Sequence, residues 1–188
     1  MSKQLSADSK TKPKIPVLPN GTWVEGDEYN KRYSLEEVND SVKKRLLTAE
    51  SKTYLMVGTD SLGSGPNYRF ITVVCAWDEG KGGTYFYKSS MVPRKTYAGS
   101  QKMRLQEEVT KSLEVAWEIE QTLGVKPQVH IDASPPGSNE FSGAFSENLK
   151  GYVLSSGYDA ILKPESFVSN CIADKHTRKY SKRGRKHK

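Results

Sequence analysis

Three strand-like runs follow one another in the first half of the chain, separated by short Gly-rich segments. The runs are TYLMVGTDS, YRFITVVCAWD and GGTYFYKSSMV, and the segments between them are LGSGPN and EGKGG. Gly-rich segments of this length, between runs rich in β-branched and aromatic residues, are typical of β-hairpins. We therefore predict an antiparallel meander of three strands.

The remainder of the chain alternates helical and strand patterns. A short helix is predicted over 35–47, a long one over 100–123, a third over 144–156 and a last one from Pro164, with strands in KPQVHIDAS and YDAILK. A strand that is reached through a helix pairs most simply in parallel with an exposed edge of the meander. The predicted fold class is α/β, with a mixed five-stranded sheet of three antiparallel strands and two helix-linked parallel strands, flanked by helices.

The basic charge of the chain is concentrated at its ends. Residues 175–188 contain eight Lys or Arg and no acid, so subtracting them from the net charge of +7 leaves −1. We predict a flexible N-terminal arm over 1–32, one folded domain over 33–178 and a basic tail over 179–188. Such a tail is compatible with nucleic-acid contact, and the acidic body with cation binding, although a solubilising tail would have the same charge.

The cysteines and the hydropathy pattern indicate where the protein works. Cys75 and Cys171 lack metal-site spacing and fall within apolar patterns, so we expect two buried, reduced thiols. No apolar run is long enough to span a bilayer, and the N-terminal residues lack the apolar core of a signal peptide. The expected location is the cytoplasm, without a membrane partner.

Four carboxylates stand where the predicted elements would bring them together. Asp60 and Asp132 each follow a strand-like run, and the carboxyl ends of neighbouring parallel strands meet at one edge of a sheet. On the long helix Glu108 flanks the apolar face, whereas Glu107 points to solvent, and Asp174 lies on a flank of the last helix. Each acid alone could be a turn, cap or surface residue, but buried carboxylates are usually paired or bound to metal.

These motifs resemble those of the ribonuclease H-like superfamily and, within it, the YkuK-type group of predicted nucleases. The similarity covers about residues 34–178 and depends on VGTDS, RLQEEVTKSLEVA, HIDAS and KPESFVSNCIADKHT. In that superfamily four acids at these places in the fold hold two divalent cations. The resemblance therefore implies that the catalytic and metal-binding residues are Asp60, Glu108, Asp132 and Asp174.

The resemblance also implies a reaction. Carboxylate oxygens suit hard cations such as Mg²⁺ or Mn²⁺, and two such ions can clamp the attacking and leaving oxygens of a phosphodiester. The expected function is a divalent-metal-dependent nuclease that hydrolyses RNA or DNA by a two-metal mechanism. The alternative is a non-catalytic RNase H-like module that binds nucleic acid or protein. Four intact acids weigh against it, because concentrated negative charge does not help to bind a polyanion.

Basic residues near the start of the long helix and in the tail are candidates for gripping nucleic acid. Contacts to phosphates alone predict weak sequence preference and strong salt dependence. The expected nucleic-acid-binding residues are Arg94, Lys95, Lys102, Arg104, Lys179, Lys182, Arg183 and Arg185.

Three further side chains near these motifs have simpler interpretations. We expect His176 to face solvent and His130 to be packed on the strand face that carries Asp132. Lys163, at the end of the last predicted strand, is a further candidate for phosphate contact.

Overall fold

The computed structural model of the chain describes residues 22–26, 28 and 31–181, with the side chains of 179–181 left out. The N-terminal part of the predicted arm and the tail from residue 182 therefore lie outside the described residues, and the predicted domain boundaries stay a prediction. Three predicted nucleic-acid-binding residues, Lys182, Arg183 and Arg185, lie there too.

The described strands form one mixed sheet in the order β1-β4-β3-β2-β5-β6. The second, third and fourth strands make the predicted antiparallel meander, and β5 and β6 add to it in parallel on the β2 edge. This arrangement confirms the predicted α/β fold class with its mixed sheet. The strands are β1 (Trp23–Glu25), β2 (Thr53–Ser64), β3 (Asn67–Asp78), β4 (Gly82–Pro93), β5 (Gln128–Ile131) and β6 (Ala160–Ile161).

The sheet has one strand more than the five predicted. This strand, β1, comes from the stretch assigned to the arm and pairs with the outer edge of β4, where Val24 lies opposite Tyr87. Trp23 is 1% exposed and belongs to the core, which explains why these residues are held on the sheet. Three residues are too few for the alternating pattern that identifies a strand in a sequence.

Helices cover both faces of the sheet. None of the helices in the described part of the chain is long and apolar enough to cross a membrane. The helices are α1 (Leu35–Thr48), α2 (Gln101–Leu123), α3 (Ser146–Ser155) and α4 (Asp174–Ser181), with short 3₁₀ segments at Arg94–Tyr97 and Phe141–Ala144 and a π-helix at Val168–Ala173.

The strand alternation distributes β2 between two apolar cores. Val57 packs in the core under α1 and α2, whereas Met56 belongs to the core under the π-helix. The π-helix lies directly on the strand at Gly58, because a Cβ there would be 2.9 Å from the backbone nitrogen of Ser169. This close approach places α4, which follows the π-helix, against the centre of the sheet.

The end of the chain packs differently from the prediction. Its helical structure begins at Val168 rather than at the proline, and Phe167 and Cys171 are exposed while Ile172 is buried. The predicted burial of Cys171 is therefore wrong, whereas that of Cys75 is confirmed. In a π-helix hydrogen bonds join residues i and i+5, so the 3.6-residue periodicity used for the prediction does not apply.

Candidate active site

Asp60 and Asp132 occupy neighbouring positions on the two central parallel strands. The last paired residues of β2 and β5 are Thr59 and Ile131, so both aspartates come next in the same register. Residues paired in this way are about 4.8 Å apart and point to the same face of the sheet. Asp60 does not end its strand, as the sequence suggested, because β2 continues to Ser64. It lies instead where the parallel pairing ends.

The first turns of α4 lie over Asp60. The Thr177 hydroxyl is 2.7 Å from Asp60 Oδ2, to which it donates, and 2.9 Å from the backbone oxygen of Asp174. Asp174 itself is paired with Arg178, whose Nε is 2.6 Å from Oδ1. Because Thr177 and Asp174 are three residues apart on one helix, their contacts bring Asp174 to the same side of the sheet as Asp60.

Glu108 approaches from α2, on the opposite face of the sheet. It is 4% exposed, so its predicted inward orientation is confirmed. The Ser61 hydroxyl donates to Glu108 Oε1 at 2.6 Å, and Arg104 Nη1 contacts the same oxygen at 2.7 Å. Arg104 Nη1 also donates to the Ser61 hydroxyl oxygen at 2.7 Å. Since Ser61 directly follows Asp60, this network links Glu108 to the strand position of the aspartate.

Burial and neighbouring negative charges make the carboxyl groups of Asp60 and Glu108 hard to ionise. Burial raises the pKa of Asp60 to about 7, the negative charges of Asp132 and Asp174 add to this, and the Thr177 hydrogen bond opposes it. Burial also raises the pKa of Glu108, against the effect of Arg104 and with that of the two strand aspartates. The charge of Asp132 therefore acts on both Asp60 and Glu108, and that of Asp174 acts on Asp60.

Basic side chains of the chain itself neutralise three of the four acids. Arg104 pairs with Glu108, Arg178 with Asp174, and Lys163 with Asp132. Among the described residues no group of three or more His, Cys, Asp or Glu side chains is arranged to hold a metal ion. The donor chemistry nevertheless fits a hard cation, because all the candidate ligands are carboxylates and the buried Oδ1 of Asp132 already contacts a cation, the ammonium of Lys163.

The predicted nucleic-acid-binding residues occupy two environments. Lys95 and Lys102 are exposed around the start of α2, and Arg94 is exposed with its guanidinium 4.9 Å from the Tyr68 ring. Arg104 points into the acidic site, where it holds Glu108. The side chain of Lys179 is not described.

The two histidines near the site are both packed. His130 is 4% exposed, as expected, and burial lowers its pKa to about 4. The prediction for His176 is wrong, because its ring is fully buried and stacks on Tyr87 with 3.9 Å between ring centroids. The reason is that α4 packs on the sheet, so the residue after Lys175 turns toward β4 instead of solvent.

A largely apolar cavity of about 410 Å³ lies near the site without containing it. It is lined by Met56 and His130, which precede Asp60 and Asp132 on their strands, and by aromatic side chains. None of the four acids contributes to its walls. The cavity is therefore distinct from the carboxylate cluster.

One contributor to the site, Thr177, was not identified from the sequence, and another, Arg104, was predicted only to bind nucleic acid. Thr177 follows Asp174 by three residues, and Arg104 precedes Glu108 by four. Both spacings place the two side chains on the same face of a helix, so helical periodicity could have pointed to them. Their contacts with Asp60 and Ser61 depend on how the two helices pack on the sheet, which spacing alone does not give.

Comparison with known proteins agrees with this fold. The ribonuclease H-like family model matches residues 36–178, which is most of the chain. No curated protein and no solved structure matches the chain. The family match, together with the mixed sheet and the order of its elements, confirms the resemblance given by the sequence motifs: this protein belongs to the ribonuclease H-like family.

Proposed function

We propose that this protein is a divalent-metal-dependent nuclease that hydrolyses phosphodiester bonds of RNA or DNA. Membership of the ribonuclease H-like family supports a nuclease-like or nucleic-acid-binding role. The observation that carries the proposal is the register of the two parallel strands, which puts Asp60 and Asp132 side by side. The raised pKa of Asp60 means that burial and its acidic neighbours oppose ionisation of this carboxylate, and a bound cation would remove that cost.

The proposed metal ligands are the four acids of the site. Asp60 and Asp132 would hold Mg²⁺ or Mn²⁺, and Glu108 and Asp174 would complete a site for two ions. When bound, such ions supply positive charge to the phosphodiester and lower the pKa of an attacking water, which is the chemistry of a two-metal mechanism.

Other residues of the chain orient these acids and the substrate. The Thr177 hydroxyl fixes one oxygen of Asp60, and Ser61 with Arg104 fixes Glu108. Fixed ligands matter because small misplacements of reacting groups reduce rates strongly.

Exposed cations would hold the nucleic-acid backbone beside this site. Lys102 lies in the first turn of the helix that carries Glu108, and Lys95 lies in the 3₁₀ segment before it. Contacts of this kind are to phosphates, so cleavage would show weak sequence preference and would weaken as salt is raised.

A second function is favoured by one observation. Arg104, Lys163 and Arg178 already neutralise three acids without any metal, as a non-catalytic module that binds nucleic acid or protein would require. Dependence on a divalent cation separates the two functions, because a module of this kind needs none.

The test is cleavage of labelled single-stranded RNA, single-stranded DNA, an RNA–DNA hybrid and a branched junction, with Mg²⁺, Mn²⁺ or EDTA. We expect cleavage of at least one substrate with metal and none with EDTA. Asp132→Asn should slow it by about 100-fold or more, because charge stabilisation by a bound ion contributes several kcal/mol.

The control is Asp159→Asn, at an exposed aspartate outside the site, which should keep the wild-type rate. Cleavage that continues in EDTA, or an unchanged rate in Asp132→Asn, would contradict the proposal. Metal-independent binding of nucleic acid without cleavage would favour the non-catalytic module.

A further inference from the structure

Lys163 is ion-paired with Asp132. Its Nζ lies 2.8 Å from Asp132 Oδ1. An ammonium group attracts a carboxylate from any direction, whereas a guanidinium requires a defined geometry. The ammonium of Lys163 can therefore exchange Asp132 for another anion that lies beside it.

The other two cations of the site are less suited to such an exchange. Arg104 contacts Glu108 and both oxygen atoms of Ser61, so three polar contacts fix its guanidinium. Arg178 is 72% exposed, and an exposed ion pair contributes little. Exchange of Arg178 for another partner would therefore change the electrostatics of Asp174 only slightly. The exposure of the Lys163 side chain, 27%, lies between those of Arg104 and Arg178.

The backbone of Lys163 is held by a hydrogen bond, and its head group lies at the end of a flexible side chain. Its amide donates to the backbone oxygen of Ala133 at 3.1 Å, directly after Asp132. A charged head on a flexible four-carbon stem can reach either the aspartate or an anion beside it.

We propose that Lys163 couples metal binding to nucleic-acid binding, by neutralising Asp132 in the free protein and pairing with a nucleic-acid phosphate in the complex. This inference rests on the proposed metal site. An ammonium ion and a divalent cation compete for the same carboxylate, so the free protein binds metal weakly. Nucleic acid that takes Lys163 away raises the metal affinity, and by linkage metal raises the affinity for nucleic acid by the same factor.

The test is calorimetric titration of Mn²⁺, with and without a short single-stranded DNA whose phosphorothioate linkages resist hydrolysis. In the wild type we expect the oligonucleotide to strengthen Mn²⁺ binding about 5- to 20-fold, within the usual range of coupling between sites. Lys163→Met should bind Mn²⁺ about 10-fold more tightly than the wild type without oligonucleotide, since methionine removes the competing charge. It should gain no more than about 2-fold from the oligonucleotide.

Two control variants separate the charge from other effects. Lys163→Arg keeps the positive charge beside Asp132, so its Mn²⁺ affinity without the oligonucleotide should stay close to that of the wild type. Lys126→Met removes a lysine that is ion-paired with Glu120 outside the site, with 3.6 Å between Nζ and Oε1, and should behave as the wild type.

The outcomes distinguish this inference from the function on which it rests. If the wild type and Lys163→Met bind Mn²⁺ equally and respond equally to the oligonucleotide, the coupling role is refuted while the metal site stands. If the wild type binds no Mn²⁺ in either condition, the metal site itself is refuted and the coupling with it.

Discussion

Replacing Asp60 by asparagine should stabilise the fold, and increasingly so as the pH rises. The carboxyl group is 7% exposed, and the negative charges of Asp132 and Asp174 act on it. Asparagine has the same shape and keeps an oxygen that can accept the Thr177 hydrogen bond. The substitution therefore removes a buried charge without removing the packing or the hydrogen bond.

The size of the effect follows from the pKa of Asp60, which is raised from 3.8 to about 7. Because the folded-state pKa is raised, ionisation of Asp60 costs no stability below about pH 4. The cost grows between about pH 4 and pH 7 and is complete above about pH 7. At 1.36 kcal/mol per pH unit, the full cost is about 4 kcal/mol. The free energy of unfolding of Asp60→Asn should thus exceed that of the wild type by about 1–2 kcal/mol at pH 5 and by up to about 4 kcal/mol at pH 8.

The assay is urea unfolding of both proteins in EDTA at pH 5, 6.5 and 8, followed by circular dichroism. The matched control is Glu107→Gln, because Glu107 is half-exposed and paired with Lys111 on the surface of α2. This control should change the free energy of unfolding by no more than about 0.5 kcal/mol at any pH. An Asp60→Asn variant that is no more stable than the wild type at pH 8, or whose gain is independent of pH, would refute the reasoning.

Two further predictions concern the packing of the π-helix. Gly58→Ala should destabilise the fold by about 1–3 kcal/mol in urea unfolding, since the new Cβ would lie 2.9 Å from the Ser169 nitrogen. Gly151→Ala, where the added Cβ meets nothing within 4 Å, should be neutral or slightly stabilising, and equal effects of the two changes would contradict this packing. In thiol titration of the native protein Cys171 should react and Cys75 should not, because Cys75 is buried and burial raises its pKa to about 12; two reactive thiols would contradict the assignment.

Much of the fold was predictable because its long elements have strong periodic patterns. The meander strands run for twelve residues each, rich in β-branched and aromatic residues and separated by Gly-rich turns, and α2 runs for 23 residues between its caps Ser100 and Gly124. Along such a helix the direction of each side chain is well defined, so the inward orientation of Glu108 followed from spacing alone. The position of Asp132 followed from the rule that a helix-linked strand pairs in parallel with an open edge.

The features that were missed depend on short segments or on side-chain packing. Strand β1 is three residues long, and the π-helix changes the period on which the burial of Cys171 was predicted. The burial of His176 depends on how α4 docks on the sheet, which no local pattern records. The pairing of Asp132 with Lys163 joins residues 31 positions apart and required the register of the parallel strands.

The central claim is that Asp60 and Asp132 form one divalent-cation site, and Mn²⁺ titration by calorimetry tests it most directly. The wild type should show saturable Mn²⁺ binding, Asp60→Asn and Asp132→Asn should each lose this binding, and Glu107→Gln should retain it. An absence of Mn²⁺ binding to the wild type, with or without nucleic acid, would contradict the claim. Binding that survives both aspartate substitutions would contradict it equally.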